Sequence, residues 1–189
     1  MTAADRLQND VAAGLARDVD ANFERMVTTY RDRVFAFTLN LTADRHEAEE
    51  IAQETFVSAY RALCGYAPAR RRSLSMRAWL FTIALNRVRN RTRSKTARRL
   101  VPLDAANELP AGARERPEAV AERRAASSEL RSALARLPLK VRSVVVLRHI
   151  DGYSYDAIAA LLGRPAGTVK SDVHRGLARL RADLETRNA

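Results

Sequence analysis

A chain of 189 residues has room for one medium domain or two small ones, and 47% hydrophobic with 29% charged residues marks it as globular, neither disordered nor fibrous. No apolar run approaches the roughly 20 residues of a membrane span, and the N-terminus carries no basic-then-apolar signal pattern, so a cytoplasmic protein without membrane insertion is expected. The net charge of +11 is unevenly spread: residues 1–54 hold eleven acids and six bases, residues 55–103 hold twelve bases and no acid, and the rest hold fifteen bases and eleven acids. A solvated surface normally mixes signs. An acid-free block of this length points to a polyanion, nucleic acid ahead of anionic membrane, whereas an arginine-biased genome would raise Arg everywhere without removing the acids.

The periodicity is helical almost throughout, and no stretch alternates long enough to read as a strand. Phe23, Met26, Val27, Tyr30, Val34, Phe37 and Leu41 form the stripe of a long helix ending before Thr42. A second helix starts near Asp44, with Glu47, Glu49 and Glu50 in its early turns, where the helix dipole favours acids; Gly65 and Pro68 stop it. The lone Cys64 near its end has no partner at metal-ligand spacing and reads as a reduced thiol filling core. After a basic loop, Arg70–Arg72, a third helix runs from about Ser75 into the nineties, burying Met76, Trp79, Leu80 and Ile83 and presenting Thr82, Asn86, Arg89 and Arg93 on a polar face. Three such helices make a first domain, over residues 21–99, behind an N-terminal extension of residues 1–20.

Pro102, Pro110, Gly112 and Pro117 punctuate a polar stretch that reads as a flexible linker over residues 100–116. Pro117 suits the first turn of a new helix that buries Val120, Leu130, Leu134 and Leu137. A short helix, Val141–Ile150, a turn at Gly152, a helix capped by Ser154, a tight turn at Gly163 and a last helix from Ala166 to about Leu184 complete a second domain, residues 117–189. The expected fold is therefore all-α, two small helical domains with a helix-turn-helix in the C-terminal one.

Within that unit Val169, Val173, Leu177, Leu180 and Leu184 form the buried stripe of the last helix, leaving Thr168, Ser171, Asp172, Arg175 and Arg179 outside, with Lys170 and His174 at the flanks. In a DNA major groove, Thr168, Ser171 and Arg175 suit base edges and Arg164, Lys170 and Arg179 suit phosphates. The bland alternative is that any two short helices joined by Gly-x-Pro look like this. His174 has no Cys or His nearby, so neither a metal nor another cofactor is expected.

The stretch from Glu47 to Phe56, ending Gln53-Glu54-Thr55-Phe56, the stretch Arg77-Ala78-Trp79-Leu80-Phe81-Thr82-Ile83-Ala84-Leu85-Asn86, and Gly152–Ala159 with Gly167-Thr168-Val169-Lys170-Ser171 together resemble the extracytoplasmic-function group of the sigma-70 family, over residues 22–95 and 129–184. The resemblance implies a non-catalytic transcription initiation factor. It implies that Glu50, Gln53 and Glu54 dock on the clamp coiled coil of the largest subunit of core RNA polymerase, with the flap of the second subunit as a further contact. It implies that Asn86, Arg89 and Arg93, with Arg70, Arg71 and Arg72 in the loop Gly65–Ser73, hold the melted −10 element, and that the helix-turn-helix reads the −35 element as duplex. An anti-sigma factor is an implied partner beside promoter DNA. Trp79 could stack on a base, but its apolar neighbours favour a core position. Relatives commonly carry Arg where this chain has Asp172, which could accept a hydrogen bond from cytosine or repel phosphate. Two rivals stand beside this reading. A dimeric duplex-binding regulator leaves the Gln53–Phe56 helix and the acid-free block without a role; an enzyme lacks any phosphate loop, metal cluster or triad spacing.

Overall fold

The computed structural model describes residues 3–98 and 117–188, and every regular element among them is helical. The expected linker lies outside the described residues. In the first unit, α1 (Ala3–Arg17) buries Val11, Ala12, Leu15 and Ala16, and Asp18 caps α2 (Val19–Thr42) by accepting from the Ala21 amide at 3.0 Å. The stripe Met26, Tyr30, Val34, Phe37 and Leu41 is buried as the spacing predicts. Ala43, in the left-handed region at φ 59°, closes α2. Asp44 then caps α3 (Arg45–Gly65), and the buried Thr38 hydroxyl lies within hydrogen-bond reach of the Ala48 carbonyl, tying α2 to α3.

Two expectations for this unit, the basic loop and the core position of Cys64, need correction. Residues 3–20 of the expected extension form α1 and the start of α2, and Val11, Ala12, Leu15, Ala16 and Val19 among them are buried. The basic loop is a short helix, α4 (Pro68–Ser73), started by Pro68 and packed against α1. Arg71 pins the two together, donating to the Tyr66 carbonyl at 2.9 Å and the Leu15 carbonyl at 3.0 Å. α5 (Met76–Arg98) completes the unit by burying Met76, Leu80, Phe81, Ala84, Leu85 and Val88, with Phe81 stacked on Phe37 at 4.2 Å. Trp79 is half-buried beside Tyr66, and Cys64 is exposed, not core, because it faces away from the Leu63 side of α3.

In the second unit α6 (Pro117–Arg136) buries Leu134, with Leu137 just beyond its end, but leaves Leu130 41% exposed; the burial of Val120 lies outside the described residues. The expected single helix from Val141 is α7 (Leu139–Val145) running into a π-helical turn, Val146–Ile150. Gly152 at φ 75° turns the chain, Ser154 caps α8 (Tyr155–Leu162), and Gly163 at φ 61° leads into α9 (Ala166–Asn188). Gly176 lets α9 approach α7: a methyl group there would lie 2.5 Å from one Val145 methyl and 2.9 Å from one of Val141.

The two units touch. Arg77 at the start of α5 donates to the Tyr153 hydroxyl at 2.9 Å and lies over its ring, and Arg142 of α7 donates to the Leu41 carbonyl. Asp151 sits beside this contact. Burial pushes its carboxyl up to about 6 against the pull of Arg77 and Arg33, and one of its oxygens has no hydrogen-bond partner.

Candidate nucleic-acid and partner interfaces

The acids of α3 and the bases of α5 form two stripes that meet. Glu47, Glu50 and Glu54 recur at three- and four-residue steps, as do Arg87, Arg91 and Lys95 at steps of four, so antiparallel packing brings them together in order. Lys95 donates to Glu47 at 2.8 Å, and Arg91 donates to Glu50 and, at 2.7 Å, to Glu54. Arg87 lies 3.9 Å from Glu54 and donates to the Ser58 hydroxyl. The expected polymerase-docking positions are thus adjacent, but Glu50 and Glu54 are already paired within the chain. Gln53 is exposed. Beside it a groove of about 440 Å³ runs between α3 and α5, lined by Glu50, Glu54, Val57, Arg61, Arg87 and Arg91, and Val57 is 51% exposed. An apolar residue ringed by half-neutralised charges suits a protein partner better than a small ion.

The residues expected on melted DNA separate into two sets. Arg70 and Arg72 are exposed at α4, with Arg70 lying over the Tyr66 ring at 3.8 Å. Arg71 is half-buried and donates to backbone carbonyls of α1 and the α3–α4 junction. Asn86 and Arg93 are exposed on α5. Arg89, between them, is half-buried, and burial together with the nearby Arg164 charge lowers its pKa.

On the helix-turn-helix, Thr168, Lys170, Ser171, Arg175 and Arg179 are exposed on α9, as expected. Ser171 donates its hydroxyl proton to the Gly167 carbonyl at 3.0 Å. Asp172 departs from expectation: it is 1% exposed, in the same stripe as Val169, Val173 and Gly176. Its carboxylate accepts from Arg164 in the turn and from Arg175 one helical turn on. Burial acts to raise its pKa, but these two guanidinium groups outweigh that and hold it below the usual carboxylate range. Arg164 is correspondingly drawn in, with its side chain 16% exposed, so it does not present itself to a phosphate as expected. The stripe spacing could have placed Asp172 inside; its charge argued against it.

Both units match known sequence families. A family model for sigma-70 region 2 matches residues 26–98, and one for sigma-70 region 4 matches residues 127–180. The ECF RNA polymerase sigma factor SigW of Bacillus subtilis is 32% identical over 181 residues, covering 88% of this chain and 90% of its own length. SigE of Mycolicibacterium smegmatis, an ECF RNA polymerase sigma factor, is 31% identical over 160 residues covering 85% of this chain, which spans 60% of that protein's length. Among solved structures, the sigma factor RpoE from Bartonella quintana, crystallised with the anti-sigma factor NepR, superposes with a TM-score of 0.65 at 25% identity, over 86% of this chain and 96% of the other. The chain belongs to the sigma-70 family of transcription initiation factors, in its extracytoplasmic-function group.

Proposed function

We propose that this protein docks on core RNA polymerase through the α3–α5 groove and directs it to promoters by two separate DNA contacts. The observation that carries the reading is that two faces of different chemistry coexist on one chain: a mixed-charge groove around Gln53 and Val57, and basic surfaces on α4, α5 and α9. The groove, with Glu50, Gln53 and Glu54, is assigned to the clamp coiled coil of the largest subunit, and the second unit to the flap of the second. Arg70, Arg72, Asn86, Arg89 and Arg93 are assigned to the melted −10 strand, where exposed arginines follow the backbone and the Asn86 amide suits a base edge. Thr168, Lys170, Ser171, Arg175 and Arg179 are assigned to the −35 duplex. Residues 21–99 then act as the polymerase-binding and melting domain and residues 117–189 as the duplex-reading domain. An anti-sigma factor is the expected regulator, on the strength of the Bartonella quintana complex.

The test is binding of labelled full-length protein to bacterial core polymerase, comparing wild type with Gln53→Arg. Gln53 is exposed, so the substitution changes the groove without breaking the Glu50–Arg91 and Glu54–Arg91 pairs. A loss of at least about tenfold in affinity is expected for an interface position that becomes a buried unpaired charge. Equal affinity for the two proteins would move the docking site elsewhere.

A further inference from the structure

Asp172 occupies the centre of a clamp that joins the turn of the helix-turn-helix to the exposed face of α9. Its carboxylate, with a side chain 2% exposed, receives Arg164 on one oxygen and Arg175 on the other. The two arginines end in different places. Arg175 stays 67% exposed while tethered, so its remaining donors face outward from a fixed position. Arg164 is turned inward, and one of its terminal nitrogens is buried without a hydrogen-bond partner. Arg164 pairs with the carboxylate there, and removing that partner would leave its charge buried and uncompensated.

We propose that Asp172 is a specificity-determining positioning residue: it fixes Arg175 for base reading and withholds Arg164 from the DNA backbone. The proposal rests on the assignment of α9 as the duplex-reading helix. A guanidinium held by a buried carboxylate has fewer rotamers to lose on binding and can meet only bases compatible with that one placement, which sharpens discrimination. Withdrawing Arg164 removes one sequence-independent phosphate contact, so a larger share of the affinity comes from base reading. Asp172 itself touches no base, and neither direct hydrogen bonding to cytosine nor repulsion of phosphate is its role.

The test uses full-length protein assembled with core polymerase and duplexes randomised over the upstream promoter element, with wild type, Asp172→Asn, Arg175→Ala, their double variant, and Asp172→Asn combined with Arg164→Gln. Asp172→Asn is expected to flatten base preference about tenfold at the base pair that Arg175→Ala also affects, with no further loss in the double variant. The same substitution frees Arg164, so the slope of log affinity against log salt on random-sequence duplex steepens by about one, and adding Arg164→Gln reverses this. The last variant removes the buried charge together with its partner, so it reports on base preference even if Asp172→Asn alone folds poorly. Unchanged base preference, or a uniform loss at every base pair with an unchanged salt slope, overturns the proposal and leaves Asp172 as a structural crosslink. A wild-type complex with no duplex preference at all overturns the assignment of α9 and this proposal with it, and is told apart by failing before any substitution is made.

Discussion

Gly176 occupies a helix interior where Ala would ordinarily add about 1 kcal/mol of stability, yet the valine methyl groups of α7 leave no room for a side chain. Val141 and Val145 are stiff at χ1 and cannot swing aside cheaply. Gly176→Ala is therefore expected to destabilise the second unit by about 1–3 kcal/mol in urea denaturation, against the sign of helix propensity. A gain in stability would mean that α7 and α9 separate easily. Asp151 sets a pH dependence with a definite direction. Its carboxyl ionises at about 6 in the folded protein against an ordinary 3.8, so the folded state keeps a proton that the unfolded chain has already released. That contribution is complete below about pH 4 and is lost as the pH rises through about 6. Asp151→Asn is expected to flatten this decline and to raise stability near pH 7.5; an unaltered pH profile would show that Arg33 and Arg77 fully compensate the charge.

At the level of elements, what the sequence made legible was whatever is local. The stripe of α2, the caps Asp44 and Ser154, and the left-handed Gly163 all follow from spacing and from the conformational habits of single residues. The elements that escaped are those whose reason lies elsewhere in the chain. α4 is too short to show a period, and α1 has a stripe whose meaning depends on α2 and α4 being there to cover it. Leu15→Ala is expected to cost about 2–5 kcal/mol in chemical denaturation, since the side chain is fully buried. A cost below about 1 kcal/mol would return α1 to the status of an appendage. The pairing of Glu47, Glu50 and Glu54 with Lys95, Arg91 and Arg87 was not legible, because similar spacings on two helices show contact only once the helices are known to run antiparallel. Each pair is solvent-accessible and worth little alone, so the network serves chiefly to shape the groove.

For the whole molecule, the sequence marked the two units correctly as helical but not as touching. Tyr153 is one of the residues that join them, through Arg77 and a tilted ring contact with Phe81 at 6.2 Å between centroids, and nothing in its surroundings along the chain distinguishes it from a turn tyrosine. Tyr153→Ala is expected to enlarge the radius of gyration in small-angle scattering at neutral pH, with both units still folded by circular dichroism. An unchanged radius would assign the contact to Arg142 and Leu41 instead. The candidate residues of α3, α5 and α9 fall on helices the sequence outlined, while the pairing of Asp172, Arg71 and Arg164 was not legible, because their partners come from other elements or other turns.

Run-off transcription from a fragmented genomic library tests most directly the proposal that this chain converts core RNA polymerase into a promoter-specific enzyme. Wild-type protein with bacterial core polymerase is expected to yield discrete transcripts. Asn86→Ala, exposed on α5 and outside the docking groove, is expected to retain polymerase binding and fail at promoter opening, and Gln53→Arg to lose binding itself. A protein that binds duplex DNA tightly as a dimer, yet never associates with core polymerase or yields a discrete transcript, would contradict the account.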